Sequence, residues 1–157
     1  MSSQTTALHV AKYFLWRADQ EGKKITNKKL QKLLYYAQAW HIVFENKPLF
    51  KDSIEAWIHG PAIAAVYDKY KKFGHGPIDE DVEKTEIKDI LNIKVLKEVW
   101  DLYGKFDANY LEVLTHNELP WQQAREKLDT NTPSNAVISV DAMRAFYTSL
   151  LDKYSDK

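Results

Sequence analysis

The segment KLQKLLYYAQAWHIVF, Lys29 to Phe44, has the spacing of a helix, yet its apolar side chains are not confined to one face. Leu30, Leu33, Leu34, Ala37, His41 and Phe44 form one continuous stripe, Tyr36, Trp40 and Val43 widen it, and Tyr35 with Ile42 falls on the remaining side. A single stripe is enough to seat a helix on a core. A chain that carries this segment therefore either encloses it among other helices or leaves one of its sides to meet another molecule. Tyr and Trp suit both outcomes, because each brings a large apolar area with one polar handle.

The flanking sequence supplies the other helices. Leu8, Ala11, Phe14 or Leu15, and Ala18 recur at three- and four-residue spacing and predict a first amphipathic helix over about 5–20, ending near Gly22. Thr26 is placed to cap the opening segment, which runs to about Glu45 before Asn46 and Pro48. Ile54, Ala56 and Ile58 alternate with Glu55, Trp57 and His59, the pattern of a short strand or extended arm. Pro61 is expected in the first turn of a helix whose buried face holds Ile63, Val66, Tyr67, Tyr70 and Phe73.

Residues 79–89 hold six acidic side chains and two lysines and read as an exposed connection or a weak helix. Further helices are expected from Asn92 through Tyr103, from a cap at Asp107 through Leu114, and from Pro120 through Leu128. A C-terminal helix around Met143, Phe146 and Leu150 is capped by Ser139 or Asp141. These elements predict a mainly α, compact single-domain helical bundle over 1–157 with at most a short β element. At 157 residues it can bury a full core without a metal or disulfide.

The 22 basic and 22 acidic residues cancel, so no global charge draws the chain to nucleic acid or to an anionic membrane. The halves differ: 12 basic and 6 acidic residues lie in 1–75, 10 and 16 in the remainder. That asymmetry would orient a partner or let two copies meet head to tail as a homo-oligomer. There is no cysteine, which fits a cytoplasmic protein and excludes thiol chemistry and Cys-based zinc sites. No signal peptide and no window near the ~18 apolar residues of a membrane span is read from the sequence.

Catalytic signals are sparse. The five histidines show no metal-ligand spacing, neither GxGxxG nor GxxxxGK[ST] occurs, and no GxSxG elbow marks a serine, so no cofactor or metal is expected. His116 and Glu118, beside Pro120-Trp121, are the nearest approach to an acid-base pair and would serve a small hydrolase. Lys23, Lys24, Lys28, Lys29 and Lys32 crowd the start of the opening segment, where basic side chains oppose the helix dipole. With Tyr35 and Tyr36 following it, that cluster reads either as a solvated lysine face or as a contact for nucleic acid, and the opposed dipole hints at use of an anion without specifying which.

In chain order, ITNKKLQKLLYYAQAWHIVFENKPLF, IEAWIHGPAIAAVYDKYKKFGHGPI, LEVLTHNELPWQQAR and the closing MRAFYTSLL resemble the Panacea domain, the SocA-like antitoxin family. The matching positions include Lys29, Leu30, Gln31, Lys32, Leu33, Tyr35, Tyr36, Trp57, Gly60, Pro61, His116, Pro120 and Trp121. The resemblance implies a mostly helical antitoxin of a bacterial or phage two-gene pair that neutralises its cognate toxin by direct protein-protein binding and is itself no enzyme. One branch of that family resembles an adaptor that delivers its toxin to a host AAA+ protease. An inhibitory interface draws most of its affinity from a few anchors, for which the sequence offers Tyr35, Trp40, Trp57 and Trp121 with Lys28 and Lys32.

Overall fold

The computed structural model describes residues 5–126 and 128–155. Two threonines start its first two helices. Thr6 accepts from the His9 amide and opens α1, Ala7–Gln20; Thr26 accepts from the Lys29 amide at 3.1 Å and opens α2, Asn27–Glu45. Helix α2 ends where Asn46 turns left-handed, φ 59°, a conformation that an asparagine tolerates.

A two-stranded antiparallel hairpin follows, β1 Glu55–Trp57 and β2 Gly60–Ala62, with Ala56 opposite Pro61. This corrects the expected helical start at Pro61. Gly60 has φ +109°, the region that favours glycine, and this turn brings Pro61 back onto β1. Helix α3, Ala64–Tyr70, begins only afterwards and continues into a 3-10 turn, Lys71–Phe73. Of its expected buried face, Val66 and Tyr70 are buried while Tyr67 is exposed.

The acidic run is largely exposed, as expected, and holds a short helical turn. It forms a 3-10 turn at Lys84–Ile87, closed by a reciprocal Glu83–Glu86 capping box, that packs on α1 through buried Ile87. The remaining helices are α4 Ile93–Tyr103, α5 Ala108–His116 with the Asp107 cap, α6 Leu119–Arg125 with Pro120 in its first turn, and α7 Val140–Ser155 with Ser139 accepting from Ala142. The architecture is mainly α, seven helices and one small hairpin among the described residues. None of these helices is long and apolar enough to cross a membrane.

Helix α2 is the enclosed one. It packs against α1, α3, α4, α5, α7 and β2, and every residue from Leu30 to Ile42 is buried. Its all-round apolar character thus serves the interior of the chain. A helix so enclosed buries polar side chains as well, and each must be paired. Gln38 donates to the Phe50 carbonyl at 2.8 Å and accepts from the Leu49 amide at 2.8 Å. Gln31 donates to Asn27 and accepts from the Ile63 amide at 2.8 Å, and Asn27 donates to the Tyr67 carbonyl.

Tyr35, Tyr36 and Trp40 of α2 enter a buried cluster with α4 and α7. Tyr36 stacks on Tyr103 at 3.9 Å with an interplanar angle of 9°, while Tyr35, Tyr36 and Trp40 meet Tyr147 of α7 edge-on. The handles are satisfied internally: Tyr36 and Tyr147 donate to Glu118 Oε1 at 2.7 and 2.9 Å, and Trp40 Nε1 donates to the Tyr103 hydroxyl. Charge asymmetry is also partly cancelled within the chain, since Lys12–Glu86, Lys24–Asp81 and Lys28–Glu112 join the basic half to the acidic one.

His41, fully buried, holds two segments at once. Its Nδ1 lies 2.7 Å from the Lys47 carbonyl and its Nε2 2.7 Å from the Asn92 amide group, so the ring is neutral, donating from Nδ1 and accepting at Nε2. Burial pushes its pKa down. The unfolded chain therefore takes up this proton more readily than the folded one. The contribution of His41 to stability is complete above the ordinary histidine pKa of about 6.5 and is lost as pH falls below it. Thermal unfolding between about pH 7 and pH 5 should show declining stability, with a shallower decline in His41→Gln.

Candidate functional site

The start of α2, the β1–β2 hairpin and the start of α5 enclose a cavity of about 1240 Å³. One wall is apolar: Trp57 meets Tyr67 edge-on at 5.1 Å, with Ile25, Ile58 and Ala62 nearby. The lining also includes Lys24, Lys28, Lys29 and Lys32 from the sequence cluster and His59 and His75 from the hairpin and the turn after α3. Asp107 is the one carboxylate in the lining.

The four lysines are held differently. Lys24 pairs with Asp19 at 3.2 Å and Asp81 at 3.1 Å, and Lys29 donates to the Gly104 carbonyl and lies over the Trp100 ring, so both ammonium groups point away from the lining. Lys28 pairs with Glu112 of α5, whose Oε1 also lies 3.3 Å from His59 Nδ1, and donates to Asn109 at 3.1 Å. These contacts hold the Glu112 carboxyl below its usual range in spite of its burial.

Lys32 is 2% exposed, and its Nζ donates to the Pro61 carbonyl at 3.0 Å. Among the described residues it has no carboxylate within ion-pair distance. Burial is the main cause that brings its pKa down to about 7, with Glu112 opposing and Lys28 assisting. Gly60 makes room for this side chain: a Cβ there would sit 2.5 Å from Lys32 Cε and 3.0 Å from Thr115 Oγ1.

Behind the hairpin, Trp121 donates its Nε1 to the Trp57 carbonyl at 2.7 Å, stacks on His116 at 4.0 Å and carries the Arg125 guanidinium at 4.8 Å. Arg125 is itself buried and donates to the carbonyls of Ala56, Asp129 and Thr132. The hairpin is thereby fixed from behind.

The structure divides the anchor residues read from the sequence into two groups. Tyr35, Trp40 and Trp121 are 1%, 8% and 3% exposed, because the tyrosine cluster and the hairpin use their rings and polar handles internally. Lys32 is likewise buried, at the floor of the cavity. Trp57 and Lys28, both half-buried, line the cavity together. Glu112, His59 and Tyr67 belong to the same site but carry no local sequence signal, since only the tertiary fold brings 28, 59 and 112 together.

The acid-base pair does not assemble either. His116 closes α5 and lies against Trp121, whereas Glu118 sits at the start of α6 and faces Tyr36 and Tyr147. No hydrogen bond or ion pair joins them among the described residues. Burial lowers the His116 pKa and raises that of Glu118, and neither group contributes to the other's shift. Nor is there a group of three or more metal-ligating side chains among the described residues.

Two substitutions check this arrangement. Gly60→Ala forces a left-handed residue and a Cβ against Lys32, so urea unfolding should show a loss of about 1–3 kcal/mol. Glu118→Gln keeps an acceptor for both tyrosines and removes a buried charge. Because the Glu118 pKa is raised in the fold, its destabilising contribution grows as pH rises through its ordinary range and above. The variant should match or exceed wild-type stability at neutral pH, within about 1 kcal/mol.

Among curated proteins and among solved structures, none matches the chain. The family model described as "Antitoxin SocA-like, Panacea domain" matches residues 30–122, more than half of the 157 residues. The matched span runs from the first turn of α2 into α6 and includes the hairpin, Lys32, Gly60 and Glu112. The chain belongs to the SocA-like antitoxin family and carries its Panacea domain.

Proposed function

We propose that the chain acts as one domain, in the cytoplasm, and neutralises a cognate toxin by binding it directly, without catalysis of its own. Membership of the antitoxin family supplies the role. The observation that carries the mode is the cavity, where the half-buried Trp57, on a hairpin fixed from behind, meets the exposed Tyr67 of α3 beside Lys28. An aromatic anchor on a rigid support beside charged groups is the arrangement that interface hot spots favour. Trp57 and Lys28 are the surface anchors in this reading. Tyr35, Trp40 and Trp121 support the face from inside.

Co-expression with the product of the neighbouring gene, followed by affinity purification and size-exclusion chromatography, tests it. The two proteins should elute together, and growth should be restored when both are made. Trp57→Ala should weaken the complex by about 2 kcal/mol or more while the circular dichroism spectrum stays helical. Growth restored with no complex, and only while a host AAA+ protease is present, would replace occlusion by delivery for degradation.

A further inference from the structure

Lys32 is a buried cation whose counter-charge is missing. An ammonium group has three donors, and this one has the Pro61 carbonyl as its acceptor. The nearest carboxylate in the electrostatics of the site, Glu112, already holds Lys28 and His59. A buried charge without an opposite partner is costly, and the cost is relieved either by losing the proton or by an anion arriving from outside. The pKa of about 7 places Lys32 between these two outcomes near neutral pH.

The surroundings say what kind of anion fits. Lys28 pairs with Glu112, so Lys32 is the buried amine of the lining without a carboxylate partner among the described residues, and one such group suits a single carboxylate rather than a polyphosphate. At about 1240 Å³ the cavity exceeds the roughly 300–1,000 Å³ of small-molecule pockets and has room for a short stretch of chain. The aromatic wall of Trp57 and Tyr67 gives an apolar side chain a place beside the charge.

We propose that the cavity receives an acidic segment of the bound toxin, in which one Asp or Glu carboxylate pairs with Lys32 while an apolar neighbour lies against Trp57 and Tyr67. This rests on the direct-binding reading above and names the chemistry of the contact. The groups that face Lys32 are Lys28 on α2, Glu112, Thr115 and His116 on α5, and Gly60 and Pro61 on β2, with His59 reaching Glu112 from the hairpin turn. A carboxylate that settles on Lys32 favours its charged form, so binding above neutral pH draws in a proton.

Isothermal titration calorimetry of the purified chain with the product of the neighbouring gene, at about pH 8 in phosphate and in Tris, gives both affinity and proton uptake, because the two buffers differ in ionisation enthalpy. Wild type should bind with uptake approaching one proton per complex. Lys32→Met, which keeps the length of the side chain without its charge, should bind at least about 30-fold more weakly and lose the uptake. Lys32→Arg, which stays charged, should bind without taking up a proton. Circular dichroism confirms that each variant is folded, and the wild-type proton count decides the matter even if one is not. Wild-type binding with no proton uptake, or folded Lys32→Met binding as tightly as wild type, would overturn the carboxylate contact alone. No binding by wild type would overturn direct binding itself and this contact with it.

Discussion

Enclosing α2 on all sides obliges every polar group on it to find a partner inside the protein, because a buried amide, imidazole or ammonium left unpaired costs more than most single contacts return. The rest of the structure follows from how that obligation is met. Gln38 takes the chain at Leu49 and Phe50, His41 takes it at Lys47 and α4 at Asn92, Gln31 takes it at Ile63, and Lys32 takes it at Pro61. The helix is therefore both the centre of the apolar core and the fixture to which the irregular segments are tied. The hairpin wall of the cavity owes its position to this, since Lys32 and Gln31 hold it from α2 while Trp121 and Arg125 hold it from α6.

Where structure is decided locally, the sequence was a reliable guide. The caps at Thr26 and Asp107, the left-handed stop at Asn46 and the Pro120 helix start each depend on a few consecutive residues, and each lies where its chemistry suggests. Gly60-Pro61 was misleading because Pro is as acceptable on a short edge strand as in a first helical turn. The pairing with Ala56 that decides between them is not visible in the dipeptide.

The site was less legible for a related reason. Tyr35, Trp40 and Trp121 have the residue types of binding anchors, but whether the first two face a partner or Tyr147 depends on a helix more than a hundred residues away, and Trp121 is taken up by the distant hairpin. Lys32 looks like one more member of a solvated lysine cluster until the hairpin closes over it. The residues of the site come from well-separated stretches of the chain, and no spacing rule links position 28 to 57, 67 or 112. The family resemblance, by contrast, was readable because it rests on contiguous stretches of the chain, and the family model matches residues 30–122.

Arg125 grips the Ala56, Asp129 and Thr132 carbonyls, and the polar residues of α2 likewise reach for carbonyls and amides of the segments they hold. A main-chain atom is the same whatever residue carries it. The path of these segments is thus specified by the gripping side chains, while the identity of the side chains along the path is left open. Substitutions at 129 or 132 that avoid proline's altered backbone geometry can recolour the surface beside the hairpin without moving it, so the molecule has a fixed shape over which its outward chemistry can be rewritten.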